Sequence, residues 1–152
     1  MPSNQAWAVL AVDDEEDILS TLKGYLEGSI PGLVVHTATS GQAGLAILRK
    51  ERIEVILSDY KMPEMDGLEF LSEARALAPD VPRILLTAFP DMQLALRALN
   101  EARIAHFFTK PMEPEMVRDV VRTTLEARRA AQQRDAALQR SLDLMRRQAK
   151  KG

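Results

Sequence analysis

The chain has no cysteine, which excludes a disulfide framework and any thiolate metal site. It has only two histidines, His36 and His106. Neither has a partner at a spacing suited to metal binding or catalysis, so both read as incidental strand residues. No apolar run approaches the length needed to span a bilayer. The N-terminal stretch MPSNQAWAVLAVDDE lacks a basic region and turns acidic after a few apolar residues. No membrane role is expected, and a cytoplasmic location is the default. Glycine is missing after the first apolar run, as is any GxxxxGKS/T loop, so the phosphate-cradling backbones of nucleotide-binding folds are absent. The acidic loop that stands there instead repels phosphate unless a metal intervenes.

What is present is a globular composition, 46% hydrophobic and 28% charged over 152 residues, enough for one ordinary domain with a sizeable core. The net charge of −2 is unevenly placed. Residues 1–125 hold 12 Lys and Arg against 19 Asp and Glu, whereas residues 126–152 hold 8 against 3. The change of sign coincides with a change of composition. It predicts a domain over 1–125 and a helical extension over 126–152.

Apolar runs rich in Val, Ile, Leu and Phe at 7–12, 33–38, 55–58, 83–87 and 105–109 predict five strands. Their lack of alternation predicts burial on both faces. Amphipathic segments separate them, marked by Ile18, Leu19, Leu22 and Leu26, by Leu45, Ile47 and Leu48, by Leu68, Phe70 and Leu71, and by Leu94, Leu96 and Leu99. Thr39 with Gln42, and Asp66 with Glu69, have the spacing of capping boxes, and Pro114 suits a first helical turn. The pattern predicts an α/β fold, a flavodoxin-like (βα)5 doubly wound parallel sheet with an extended C-terminal helix. In strand order 2-1-3-4-5, strands one and three are neighbours at the point where the order reverses. Ligands bind there, outside the carboxyl ends of the strands.

Polar residues stand at those ends: Asp13 and Asp14 after the first run, Asp59 after the third, Thr87 at the end of the fourth and Lys110 after the fifth. Taken singly, each acid reads as a turn residue or helix cap; Asp66 stays in that class, and together the others overturn it. Three carboxylates brought close together either take up protons or hold a cation. Oxygen ligands without His or Cys suit a hard ion, and a site that also handles phosphate favours Mg2+. Lys110 supplies a second positive charge and Thr87 a hydroxyl donor, so the set neutralises a transferring phosphoryl group from several sides. A carboxylate can be the nucleophile, and Asp59 is the only acid at its strand end.

The strings AVDDEED, SDYKMPEMDG, LLTAF and FFTKP resemble, in order and spacing, the receiver domain of two-component response regulators. The resemblance covers about residues 7–125. It implies that Asp59 is the phosphoacceptor, that Asp13, Asp14 and Asp59 with the backbone carbonyl of Lys61 hold Mg2+, that Thr87 is the responding hydroxyl and that Lys110 contacts the phosphoryl group. It also implies a cis peptide before Pro111 and a switch role for Phe107. That side chain has no hydroxyl, so any switching there is a matter of packing. Lys61 and Phe89, two residues beyond Asp59 and Thr87, fall at rim positions that family members vary to set phosphoryl lifetime, and bulky Phe89 is expected to limit access of attacking water. The implied partner is a sensor histidine kinase or phosphotransfer protein.

Other readings compete for the same residues. A haloacid-dehalogenase-type phosphatase wants a second acid two residues after its nucleophile, where Lys61 stands. A receiver-like interaction module that signals without phosphorylation typically lacks an acid or the lysine, and this chain keeps all of them. The expected chemistry is therefore self-catalysed phosphotransfer and slow autodephosphorylation, not turnover of a separate substrate.

From Pro114 to Lys151 there is no further Pro and no Gly, so the last helix can extend roughly 55 Å. Ala131, Leu138, Leu142, Met145 and Ala149 follow a 3-4 spacing interrupted by Arg128 and Asp135, which suits either a coiled-coil homodimer or a solvated basic helix. The stretch from Leu85 to Pro111 also resembles receivers whose last helix leads into a separate output domain. A piece of a longer protein and a single-domain regulator both remain open. Nucleic-acid binding is not expected, because no recognition-helix motif accompanies the basic tail.

Overall fold

In a computed structural model that describes residues 7–151, five parallel strands form one sheet in the order β2-β1-β3-β4-β5. In chain order the elements are β1 (Trp7–Val12), α1 (Glu16–Ser29), β2 (Leu33–Ala38), α2 (Gly41–Lys50), β3 (Val55–Asp59), α3 (Gly67–Leu77), β4 (Arg83–Thr87), α4 (Met92–Arg97), β5 (His106–Thr109) and α5 (Pro114–Lys151). This is the expected doubly wound topology with its long last helix.

Successive strand residues point to opposite faces, and the central strands divide on that basis. Leu10, Val12, Ile56 and Leu85 join a layer with Leu45, Leu68, Phe70, Leu71 and Leu94 under α2, α3 and α4. Val9, Ala11, Val55, Leu57 and Ile84 join one with Leu19, Leu26, Val117, Val121 and Leu125 under α1 and α5. Burial on both faces holds for β1, β3 and β4. The two outer strands depart from it: β2 alternates, with Val34 40% exposed, and both ends of β5 are open to solvent. Each has a neighbour on one side only, so a helix layer cannot close over it.

Helix boundaries follow local chemistry. Asp66 and Glu69 form the expected capping box at α3. At α2 the cap is Ser40, whose hydroxyl accepts the Ala43 N–H, and not Thr39; the two adjacent hydroxyls differ only in which one reaches that amide. The fourth helical segment is not uniform. α4 stops at Arg97 and a π-helical turn runs over Ala98–Ala102, closed by Arg103 in the left-handed region at φ 47°. Leu94, Ala98 and Ala102 turn inward, while Leu96 and Leu99 are half exposed.

Buried Arg83, at the start of β4, holds this region to the sheet. Its guanidinium donates to the carbonyls of Ala102, Val81, Pro79 and Arg103 at 2.8–3.3 Å. Among the described residues no helix is long and apolar enough to cross a membrane.

Candidate functional site

Strand register assembles the site. Val12 pairs with Ser58, Asp59 with Leu86, and Thr87 with Thr109. Asp13, Asp59, Thr87 and Lys110 therefore emerge side by side at the carboxyl edge of the sheet. Backbone bonds continue the ladder past the strand ends, from Asp13 N–H to Ala38, from Tyr60 N–H to Leu86 and from Lys110 N–H to Thr87. Counting alternation along the strands puts Asp13, Asp59 and Lys110 on the α1/α5 side. Thr87 and Phe107 fall on the other side, where half-buried Phe107 packs against the core.

Carboxylate oxygens of Asp13, Asp14 and Asp59 all lie within 4.8 Å of one another. The Lys110 Nζ bridges two of them, 2.8 Å from Asp13 Oδ2 and 3.2 Å from Asp59 Oδ1. Asp13 is buried, and its Oδ1 accepts the Glu15 N–H at 3.0 Å, so the turn that starts α1 also orients the carboxylate. Asp14 is exposed and open to an incoming ion.

Burial pushes the Asp59 carboxyl above its ordinary value and the Asp13 charge adds to this, against the pull of Lys110 and the Tyr60 N–H. Burial works against the Lys110 charge too, but its bonds to Asp13 and its attraction to Asp59 prevail and hold its pKa above the ordinary lysine value. Three hard oxygen donors at this separation suit a small divalent cation, and the surplus negative charge gives it a reason to bind.

Thr87 is buried, and its Oγ1 accepts the Phe89 N–H at 3.1 Å, leaving the hydroxyl proton free to donate. The Lys61 ammonium stands 5.3 Å from the Phe89 ring centroid, and both side chains line a recess with Asp14, Asp59 and Lys110. Phe89 itself is 69% exposed. The Lys110–Pro111 peptide is cis.

Gly67, which the sequence pattern did not single out, turns out to shape the site. It opens α3 directly beneath Asp59, its N–H bonded to the Tyr60 carbonyl at 2.7 Å. A Cβ at Gly67 falls 2.0 Å from the Asp59 carbonyl oxygen. Its only sequence signal was its place after the Asp66 cap.

Residues 9–122 match the family described as the response regulator receiver domain. The chain belongs to that family. It is similar to the hydrogenase transcriptional regulatory protein HoxA of Cupriavidus necator, with 34% identity over 82% of this chain and 25% of that protein. It is also similar to the cyclic di-GMP phosphodiesterase response regulator RpfG of Xanthomonas campestris pv. campestris, with 33% identity over 90% of this chain and 35% of that protein. Among solved structures, a CheY-like receiver from Methanospirillum hungatei matches with TM-score 0.79 and 28% identity, over 84% of this chain and 99% of that one.

The receiver thus spans about a quarter to a third of the length of these curated relatives. Its role is that of a phosphoacceptor in two-component signalling. Receivers are signal transducers that generally have no enzymatic turnover of their own, receive their signal from histidine kinases and typically bind Mg2+ in an acidic pocket.

Proposed function

We propose that Asp59 accepts the phosphoryl group, transferred from a phosphohistidine on a sensor histidine kinase or phosphotransfer protein. The observation that carries this is Lys110 bridging Asp13 and Asp59 at the centre of three clustered carboxylates. A carboxylate oxygen of Asp59 attacks phosphorus, the P–N bond to the donor imidazole breaks, and the imidazole keeps the electron pair and takes up a proton. Lys110 shifts from the carboxylates toward the incoming phosphoryl oxygens, and the Thr87 hydroxyl donates to another of them. Asp13, Asp14, Asp59 and the Lys61 carbonyl would hold Mg2+, which offsets charge on the phosphoryl oxygens.

Hydrolysis by water returns the carboxylate, so the protein catalyses its own phosphorylation and slow dephosphorylation. Phe89 with Lys61 over its ring shields the acyl phosphate from water. The switch runs through Thr87 and the packing of Phe107, next to cis Pro111, and the domain over 1–125 hands the result to a partner or output through the helix over 126–152. Two copies pair through the exposed Leu138, Leu142 and Met145 of that helix. Deleting residues 126–152 then abolishes self-association, and an unchanged monomer mass in the full chain refutes the pairing.

Intact-mass analysis after incubation with acetyl phosphate and Mg2+ tests the central reading. One added phosphoryl group is expected in the wild type and none in Asp59→Asn or without Mg2+. Absence of both this adduct and any Mg2+-dependent response to beryllofluoride makes the chain an interaction module that signals without phosphorylation.

A further inference from the structure

Past Leu125, its last fully buried residue, α5 leaves the sheet at the end opposite the carboxylates. Two arginines hold it there. Arg128 donates to the Asp80 carbonyl in the loop before β4. The Arg129 guanidinium carbon lies 4.2 Å from the centroid of the Trp7 ring at the start of β1, and its Nε stands 3.5 Å from Glu54 Oε2. Glu54 is buried just before β3, and its other oxygen faces the Ala8 N–H at 3.4 Å. Trp7 is the chain's only tryptophan. Ring, carboxylate and guanidinium thus join the start of β1, the entry to β3 and the exit of α5.

We propose that Trp7, Glu54 and Arg129 form a stiff output joint, which carries the helix out of the receiver as a continuous rod in one fixed direction. The need for a joint is physical. From Gln133 onward every described residue of α5 except Asp143 is exposed. A helix exposed on all sides pays a costly nucleation step before it can propagate. Fixing residues 126–130 as helix on the sheet supplies the nucleus, and the rest propagates from it. The ring and the carboxylate touch the guanidinium from two elements, so they fix the direction of the helix as well as its start. β1 runs from the joint at Trp7 to Asp13 in the site, roughly 20 Å, so one strand has the metal acids at one end and the output helix at the other.

Hydrogen exchange read by mass spectrometry on the full chain tests the joint, without any need for phosphorylation. In Arg129→Ala, exchange across 126–145 is expected to accelerate while β1, β3 and β4 stay protected, and Trp7 emission shifts as its cation is lost. Arg129→Lys, which keeps a cation at the ring, recovers part of the protection. If Arg129→Ala unfolds the sheet, Trp7→Leu removes the ring, leaves the ion pair and is read against the same two outcomes. Unchanged protection across 126–145 in the variants overturns the proposal. So does protection across 126–130 in the wild type that falls on dilution, which assigns the start of the helix itself to a second copy.

Discussion

Gly67→Ala places one methyl group where the backbone of Asp59 already lies. The added Cβ falls 2.0 Å from the Asp59 carbonyl oxygen and 2.9 Å from both the Asp59 carbonyl carbon and the Tyr60 Cα. Carbon–oxygen contacts in proteins settle at about 3.3–3.6 Å, so the α3 start and the β3 end must separate by more than about 1 Å. Neither can rotate away, since every contacting atom is main chain. The separation also stretches the 2.7 Å bond from Gly67 N–H to Tyr60.

Overpacking of this kind costs about 1–3 kcal/mol and a lost hydrogen bond about 1 more, which for a chain of this size lowers Tm by roughly 5–15 °C. The functional loss is larger. A nucleophile displaced by about 1 Å loses on the order of 100-fold in rate, read as phosphoryl uptake from acetyl phosphate well below the lowered Tm. Gly24→Ala is the control, on an exposed turn of α1 with nothing within 4 Å of the new Cβ. There the same change raises stability by about 0.5–1 kcal/mol, because alanine favours helix. Wild-type Tm and uptake in Gly67→Ala refute the reasoning, since the backbone then yields at no cost.

Lys110→Met removes the cation whose bond and charge oppose burial and the Asp13 charge at Asp59. The Asp59 carboxyl is expected to titrate still higher by carbon-13 NMR, with phosphoryl uptake lost even in Mg2+; a downward shift contradicts the assigned electrostatics. Glu27, which accepts the Lys23 ammonium and the Val35 N–H of edge strand β2, each at 2.8 Å, has its pKa held below the ordinary 4.5 by those two bonds. A depressed folded pKa contributes stability above the unfolded value and loses it as pH falls through the folded one. The stability gap between wild type and Glu27→Gln is therefore expected to be constant near neutrality and to close below pH 4.5 in denaturant titrations; a gap that widens with acid has the wrong sign. Arg83→Met strips four carbonyls of their donor, two of them on buried Val81 and Ala102, and is expected to cost about 2–4 kcal/mol, with exchange rising first across Ala98–Ala102; a loss spread evenly over the sheet excludes the local mechanism.

The carboxyl-edge cluster was legible because strand topology does the geometric work. Once the runs ending near Val12, Ser58, Leu86 and Phe108 are parallel and in register, the residues after them have only one place to gather. Periodicity also located every helix, because each buries a stripe. It was blind wherever a contact depends on backbone rather than on side-chain type. Gly67 matters for how close a Cβ there would come to the carbonyl that ends the preceding strand, and a glycine in sequence looks the same whether space beside it is open, as at Gly24, or filled. Leu96 stands two positions after buried Leu94, a spacing that shares no helix face, so apolar type alone did not place it, and Leu96 and Leu99 are half exposed.

The arginines are the most instructive case. Charge counting placed Arg128 and Arg129 in a basic extension beyond residue 125, which suited a coiled-coil homodimer and a solvated basic helix alike. Their partners are a main-chain carbonyl at Asp80, an indole ring at Trp7 and a buried carboxylate at Glu54. The opposite charge at Glu54 lies 75 positions back in the chain from Arg129. The bonds of Arg83 go to main-chain carbonyls, and burial, with the Arg75 charge adding to it, pushes its pKa down. A cation that binds carbonyl oxygens and aromatic faces leaves no complementary charge in the sequence to find. The same type of residue that marks a solvated surface therefore also builds the joints of this fold, and only the third dimension separates the two uses.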